Sequence, residues 1–359
     1  MLITQPGKLS VSIGLLENDP HTDTVCFRKF KNCSFFFRNL LCYNKNCPIN
    51  KENRSTKEFF IMHQRVAAIN DLSGLGRCSL TVDIAVLAAM GIEACPLPTA
   101  VLTSQTGYPG YHCVPFTKQM CNYTEHWQEL QVSFQGILSG YLATPDAATQ
   151  VQDFLEKFHK PGVLYLCDPV LGDNGKAYRG FTDASIQAVR HLAFQADLLT
   201  PNLTEFCILT DTEMDSLKKL GQENPEELYR LLQYRSYLFK YQALVITGIP
   251  IKERDQQLLV NLIIDHAKTS VAIPSPHLGG SYSGTGDLFA AVLMGSQLQK
   301  RNLEQGVRLA GELIVRGIAD AQKEHTPCND GINYEPYLNL LSPSSLQTMG
   351  QRGTCEAQK

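Results

Sequence analysis

The stretch Gly279-Gly-Ser-Tyr-Ser-Gly-Thr-Gly-Asp287, followed directly by Leu288-Phe-Ala-Ala-Val-Leu-Met294, decides how this chain is read. A loop with four glycines runs into an apolar helix, with one carboxylate at the junction. Such loops let backbone N–H groups converge on an anion, and the helix dipole adds favourable potential at the same place. Asp287 is the odd member, because an anion site has no use for a fixed carboxylate unless that group takes a proton or faces a metal ion. The structural reading makes Asp287 the N-cap of the helix, a role Asp fills well. The loop alone leaves both readings open.

Working outward, strand and helix patterns alternate through most of residues 64–325. Arg65-Val-Ala-Ala-Ile-Asn70 reads as a buried strand, and Asp71-Leu-Ser-Gly-Leu-Gly-Arg77 as a glycine-bearing turn. Ser79 to Met90 reads as a helix with Leu80, Ile84, Leu87 and Ala88 on its apolar face, stopped by Gly91. Glu93 to Leu102 is extended chain broken by Pro96 and Pro98. Further strands are expected at 136–140, 162–168, 196–200 and 243–247, with helices at 146–159, 202–209, 225–239, 287–299 and 303–322. Residues 257–265 and 270–273 suggest a hairpin. The alternation predicts an α/β fold, a doubly wound, mostly parallel sheet with helices on both faces. Ligands in such folds bind beyond the carboxyl ends of the strands. Asn70, Thr106, Tyr141, Asp168, Thr200 and Thr247 all fall at or just past strand ends.

Composition narrows the classes. The chain has 359 residues, 43% hydrophobic and 19% charged, as an ordinary globular protein does. A net charge of −3 gives no electrostatic case for a nucleic-acid or anionic-membrane partner. The 12 cysteines are scattered and form no Cys-x-x-Cys pair, so a reducing, cytoplasmic compartment is expected. No run of 18 apolar residues predicts a membrane span, and no basic-then-apolar signal pattern opens the chain.

Residues 1–61 differ from the rest of the chain, mixing basic and aromatic residues without a steady period. Met62 is expected as the true start, since Lys57-Glu58 can be encoded by a purine-rich ribosome-binding sequence. Residues 1–61 are then a non-native or disordered extension, 62–341 the folded domain, and 342–359 a disordered polar tail.

Three motifs bear on the opening loop. Gly74-x-Gly76 after the first strand invites a dinucleotide reading. Ser79 stands where the third glycine belongs, and Glu93 comes at the wrong end of its strand, so that reading is rejected. Cys167-Asp-Pro-Val-Leu-Gly-Asp173 places two carboxylates around a strand end. The glycine-rich stretch 172–180 after it suits either a turn or a flap over a reaction that excludes water. Thr200-Pro-Asn-Leu-Thr-Glu205 sets Asn202 and Glu205 three apart at a helix start, a capping box or a water-mediated hold on Mg²⁺. Three strand-end carboxylate clusters with an anion-ready loop suit phosphoryl transfer, which is mostly positioning and charge neutralisation.

Ala196-Asp-Leu-Leu-Thr-Pro-Asn-Leu-Thr-Glu205 resembles the Asn-x-x-Glu segment of the ribokinase superfamily. Gly284-Thr-Gly-Asp287 is similar to that superfamily's anion hole and catalytic aspartate. Leu138-Ser-Gly-Tyr141 and the Asp168 to Asp173 segment, in this order, narrow the resemblance to the pyridoxal (vitamin B6) kinases, from about Arg65 to about Gln322. The resemblance implies ATP-dependent phosphorylation of a vitamer's 5′-hydroxymethyl group, with Mg²⁺ and a monovalent cation such as K⁺, in a homodimer. It makes Asp287 the base and Gly284, Thr285 and Gly286 the anion hole. Asn202, Thr200 and Thr247 would lie near the ATP phosphates, with Glu205 holding Mg²⁺ through water and Asp168 the second metal-side candidate. Asn70, Thr106 and Tyr141 would contact substrate, and Asp173 and Tyr178 would belong to the flap. Asn70 stands where many relatives carry Ser, and Gln105 where they carry His, so both departures touch substrate contacts. The rival readings are a hydroxymethylpyrimidine or other small-alcohol kinase and, from another class, a nucleotide or vitamer sensor.

Overall fold

The computed structural model describes residues 64–343 apart from 179, 240–242, 255 and 266–269. The expectations for residues 1–61 and for the tail beyond residue 343 lie outside the described residues.

The first half holds β1 (Arg65–Ser73), α1 (Ser79–Ala89), β2 (Glu93–Leu102), β3 (Cys113–Pro115), α2 (Thr117–Glu129), β4 (Gly136–Ser139), α3 (Pro145–Phe158), β5 (Leu164–Cys167) and the small pair β6 (Gly172–Asp173) and β7 (Lys176–Ala177). Then come α4 (Asp183–Ala193), β8 (Leu198–Leu199), α5 (Leu203–Thr210), α6 (Met214–Glu223), α7 (Pro225–Ser236), β9 (Ala243–Glu253), β10 (Gln256–Ile264), β11 (Val271–Pro276), α8 (Thr285–Leu298) and α9 (Leu303–Lys323). The main sheet runs β11-β10-β9-β8-β5-β4-β1-β2-β3. From β2 through β9 the pairings are parallel, while β3, β10 and β11 join antiparallel at the two sides. This is the doubly wound, mostly parallel sheet that the alternation predicts.

Burial on both faces explains why the central strands read as unbroken apolar runs rather than as alternating ones. Val66, Ala67, Ala68 and Ile69 of β1 are wholly buried. One core packs α2 to α7 on the sheet through Phe154, Tyr165, Phe206 and Leu228, among others. The other packs α1, α8 and α9 through Val86, Leu288, Leu293 and Leu313. Helix α8 is apolar nearly all round and buried from Leu288 to Ser296, so it serves as a core element rather than an amphipathic surface helix. Each such Leu, Val, Phe or Met contributes roughly 1.5–3 kcal/mol on burial.

Several details depart from the sequence reading. Strand β2 runs through Pro96 and Pro98 unbroken. Its partner β3 pairs only with Ala100 to Leu102, so no outer strand waits on the N–H groups those prolines lack. The strand expected at 196–200 shrinks to Leu198–Leu199. Helices α2, α4 and α6 fall where no helix is expected. The buried face of α1 is rotated from the one expected: Leu80 and Leu87 are buried, but Ile84 is 38% exposed and Asp83 only 1%. A helix apolar on most sides does not reveal its inner face by period.

Strand β1 has β2 on one side and β4 on the other, so the winding direction reverses between β1 and β4. A ligand site is expected at the carboxyl end of that switch point. The β1–β2 register also slips between Asn70 and Leu72, which re-aims the end of β1.

Candidate active site

The end of β1 supplies Asn70, Asp71 and Ser73, all buried. Asn70 makes four hydrogen bonds. Its Oδ1 accepts from the N–H groups of Asp71 (3.0 Å) and Tyr141 (2.8 Å). Its Nδ2 donates to Asp287 Oδ1 (3.0 Å) and Asp83 Oδ2 (3.2 Å). Gly140 lets the β4 end come this close, since a Cβ there would lie 2.5 Å from Asn70 Nδ2.

Ser79 opens α1 at φ +55°, in the left-handed region that residues other than glycine seldom occupy. That backbone turn aims its N–H at Asp287 Oδ2, 2.8 Å away. Its hydroxyl donates to Asp71 Oδ1 at 2.5 Å, and Ser73 donates to Asp71 Oδ2 at 2.8 Å. Asp71 thus pins the strained turn that holds Asp287.

Asp287 does not start its helix. The N-cap of α8 is Gly284, at φ +79°, and Asp287 is the third residue of the helix. The N-cap reading of Asp287 is therefore corrected: its carboxylate caps nothing of its own and instead receives Asn70 and Ser79. Gly284 is forced by space as well as by φ, since a Cβ would meet Arg77 O at 1.9 Å. Among the described residues the N–H groups of Thr285, Gly286 and Asp287 donate to no protein acceptor, the usual condition of a helix's first turn. Burial raises the Asp287 pKa to about 6, opposed by the Ser79 and Asn70 hydrogen bonds and helped by Asp71.

Asp168, past β5, lies beside the loop: a Cβ on Gly286 would be 3.5 Å from its Oδ2. Thr200 donates to Asp168 Oδ1 at 3.4 Å. Burial lifts the Asp168 carboxyl well above its ordinary range, and Glu205, Asp287 and Asp83 add to that. Asn202 and Glu205 form a full capping box on α5. Glu205 accepts from the N–H groups of Asn202 (2.8 Å) and Leu171 (3.1 Å), and Asn202 Nδ2 donates to Gly172 O (2.8 Å). Burial brings Glu205 to about 8, against the hydrogen bonds from Asn202, Leu171 and Gly172. Thr247 pairs with Asn202 as an isolated bridge, its N–H bonded to Pro201 O.

The stretch 172–180 contains a hairpin. Asn174 (φ +53°) and Gly175 (φ +84°) make the two-residue turn between β6 and β7 that an Asn-Gly pair favours. Gly175 N–H donates to Thr204, and Ser281 of the glycine loop donates to Asp173 Oδ2 at 3.0 Å. The hairpin thus touches both the α5 cluster and the loop. The Tyr178 side chain is 42% exposed, and its phenol is pushed above its usual pKa by partial burial and then by Glu205, Asp173, Asp168 and Asp287. Phe181 packs edge-on against Tyr141, ring centres 6.0 Å apart.

The structure therefore gathers Asn70, Asp168, Thr200, Asn202, Glu205 and Gly284 to Asp287 at one end of the sheet. Thr106 stands apart, exposed on the β2–β3 loop and without a hydrogen bond among the described residues. Its neighbour Gln105 is the buried one, donating to Asn329 O and accepting from Gly107 N–H. Sequence reasoning missed Asp71, Ser79, Asp83 and the closing segment 328–335. That segment receives Arg77 N–H at Asp330 O and Ser283 N–H at Cys328 O. Asp71 and Ser79 lie inside the glycine-bearing stretch rejected as a dinucleotide fingerprint.

Asp168 and Glu205 are buried, hard-oxygen donors, and among the described residues neither pairs with Lys or Arg. A divalent ion of the Mg²⁺ type suits that donor set. Glu205, with both oxygens receiving N–H groups, would act through water. No described group of three or more His, Cys, Asp or Glu forms an all-protein metal cage, and no described helix is long and apolar enough to cross a membrane. The described cysteines are free thiols.

A family model described as phosphomethylpyrimidine kinase matches residues 76–329. A crystal structure from Bacteroides thetaiotaomicron, provisionally named a phosphomethylpyrimidine kinase and solved with pyridoxal, is 35% identical. The match covers 78% of this chain and 96% of that one at a TM-score of 0.69. Pyridoxal kinase from Lactobacillus plantarum is 26% identical, with 81% and 99% coverage and a TM-score of 0.66. A Schizosaccharomyces pombe protein provisionally named pyridoxal kinase is 29% identical over 58% of this chain, which spans 61% of that relative's length. The ribokinase-like fold implied by the sequence motifs is the fold found.

Proposed function

We propose that this chain, which belongs to the phosphomethylpyrimidine kinase family, transfers the γ-phosphoryl group of ATP to the 5′-hydroxymethyl oxygen of a B6 vitamer. The observation that carries this reading is the Asp287 carboxylate, held by Asn70 and Ser79 beside the free N–H groups of the α8 first turn. A base next to an anion cradle suits an alcohol attacking a phosphate.

In this reading Asp287 takes the hydroxyl proton as the alcohol oxygen bonds to the γ-phosphorus and the bond to the ADP oxygen breaks. The N–H groups of Gly284, Thr285 and Gly286 hold the transferring group, where each preorganised donor is commonly worth a few kcal/mol. Thr200, Asn202 and Thr247 border the phosphates. Asp168 and water-linked Glu205 would hold Mg²⁺, which supplies charge neutralisation on the polyphosphate. Tyr141, with Phe181 behind it, would offer a face for the pyridine ring, Asn70 would line its approach, and the Asp173–Tyr178 hairpin would cover it. A K⁺ ion near Asp168, a homodimer and a cytoplasmic setting belong to the same proposal.

The family model's own description supports a second substrate, hydroxymethylpyrimidine, which presents the same type of alcohol. A sensor without chemistry has less support, since a pure binder needs no base at Asp287. Incubation with ATP and pyridoxal, read by phosphorus NMR, tests the proposal. A phosphate monoester on the 5′ carbon supports it. ADP and free phosphate with no ester would contradict it.

A further inference from the structure

Helix α1 packs against α8, and between them lies a carboxyl with no part in the phosphoryl transfer itself. Asp83 is 1% exposed, and its Oδ2 accepts one proton of the Asn70 amide while Asp287 Oδ1 accepts the other. Asp83 Oδ1 is buried with no hydrogen-bond partner. The titratable groups that face Asp83 are Asp287 from α8, Asp71 from the end of β1, Asp168 past β5 and Tyr334 from the C-terminal segment. None of them is a cation.

We propose that Asp83 is a positioning residue for the transfer site: through the Asn70 amide it shares with Asp287, it fixes where the Asp287 carboxylate points. This rests on the reading of Asp287 as the base. With its carbonyl oxygen committed to two backbone N–H groups, Asn70 can only turn its amino group toward the two carboxyls. Both protons must find acceptors there, because an unpaired buried N–H is costly. Asp83 supplies the second acceptor, so the first proton stays on Asp287. It does this as the uncharged acid. A second carboxylate would face three acidic neighbours with one oxygen bare, and burial and Asp287 both push Asp83 well above the usual carboxylate range.

The charge state and the positioning are separable. Asp83→Asn keeps a carbonyl acceptor without a charge. Its kcat is expected within about threefold of wild type, with an unmoved acid limb of the pH profile. Asp83→Val removes the acceptor. Its kcat is expected to fall about tenfold with KM for ATP unchanged, as a misaimed base does. The Asp287 pKa rises in that variant, since the hydrogen bond lost favours the charged form. Asp83→Ala replaces Asp83→Val if the latter does not fold.

Carbon-13 carboxyl titration of the full chain reads both groups without substrate. Asp83 is expected to titrate well above the ordinary carboxylate range, whereas titration near its ordinary value of about 3.9 overturns the assignment. An Asp287 titration unmoved in Asp83→Val, or a wild-type kcat in that variant, overturns it too. If wild-type protein turns over no vitamer, the proposed reaction fails, and the Asp83 assignment is then decided by the Asp287 titration alone.

Discussion

Ser79 and Asp287 stand 208 positions apart in the chain, and the Ser79 N–H donates to Asp287 Oδ2 at 2.8 Å. With Asn70 on the other oxygen, the carboxylate is held at both ends before any substrate arrives. Asp287→Asn keeps the shape and loses the basicity. It is expected to lower kcat by at least about 10²-fold, the low end for a general base. ATP affinity, measured by calorimetry, should be retained. Wild-type turnover in the variant would remove Asp287 from the chemistry.

The pH profile depends on the same contacts. As the proposed base Asp287 must be charged to take the proton, and burial raises its pKa to about 6. A raised pKa moves the loss of base to higher pH than an ordinary carboxylate's, so kcat/KM for the alcohol should fall about tenfold per pH unit below that point. Above it the rate levels. An inflection near pH 4, the unperturbed carboxylate value of about 3.9, would mean that a different group sets the limb.

Two glycines in the loop are required for different reasons. Gly284→Ala puts a methyl against the Arg77 carbonyl and strains a φ of +79°. Backbone cannot step aside as a side chain does, so the variant should lose about 1–3 kcal/mol of stability to strain, with the clash adding to it, read as a lower melting temperature. Gly286→Ala meets only Asp168 Oδ2, at an ordinary 3.5 Å. That variant should fold normally yet show a raised KM for ATP, because its methyl enters the space between the loop amides and Asp168. Equal stability losses in the two variants would argue against this distinction.

Glu205→Gln separates a cap from a metal-side residue. Glu205 has one oxygen for Leu171 and one for Asn202, and glutamine can accept only one of these bonds well. Stability should fall by about 1–3 kcal/mol for the N–H left unpaired. The Mg²⁺ concentration giving half-maximal rate should also rise about tenfold, as for other outer contacts to a metal. Lost stability with unchanged Mg²⁺ dependence would leave Glu205 as a cap alone.

Much of this architecture was legible because its causes are local. Asn202 and Glu205 announce their capping box by spacing, Asn174-Gly175 its tight turn, and the apolar run after Asp287 its buried helix. The loop is half legible: its glycines mark a turn into a helix, but only the fold shows that Gly284 rather than Asp287 starts α8. Asp83 was hidden because it lies on the inner face of a helix whose period pointed to Ile84. Ser79 was hidden because its value is a backbone angle, which no side-chain pattern reports. The contacts of residues 328–335 with Arg77 and Ser283 join distant ends of the chain, or the two sides of α9, and neither separation leaves a trace in local pattern.

The central claim is that this site phosphorylates a B6 vitamer, and steady-state ATP consumption measures it most directly. The full chain would be assayed with Mg²⁺ and, in turn, pyridoxal, pyridoxamine, pyridoxine and hydroxymethylpyrimidine. ADP release that depends on at least one of the three vitamers, and is lost in Asp287→Asn, is the predicted result. Turnover with hydroxymethylpyrimidine alone, or with none of the four, would contradict it.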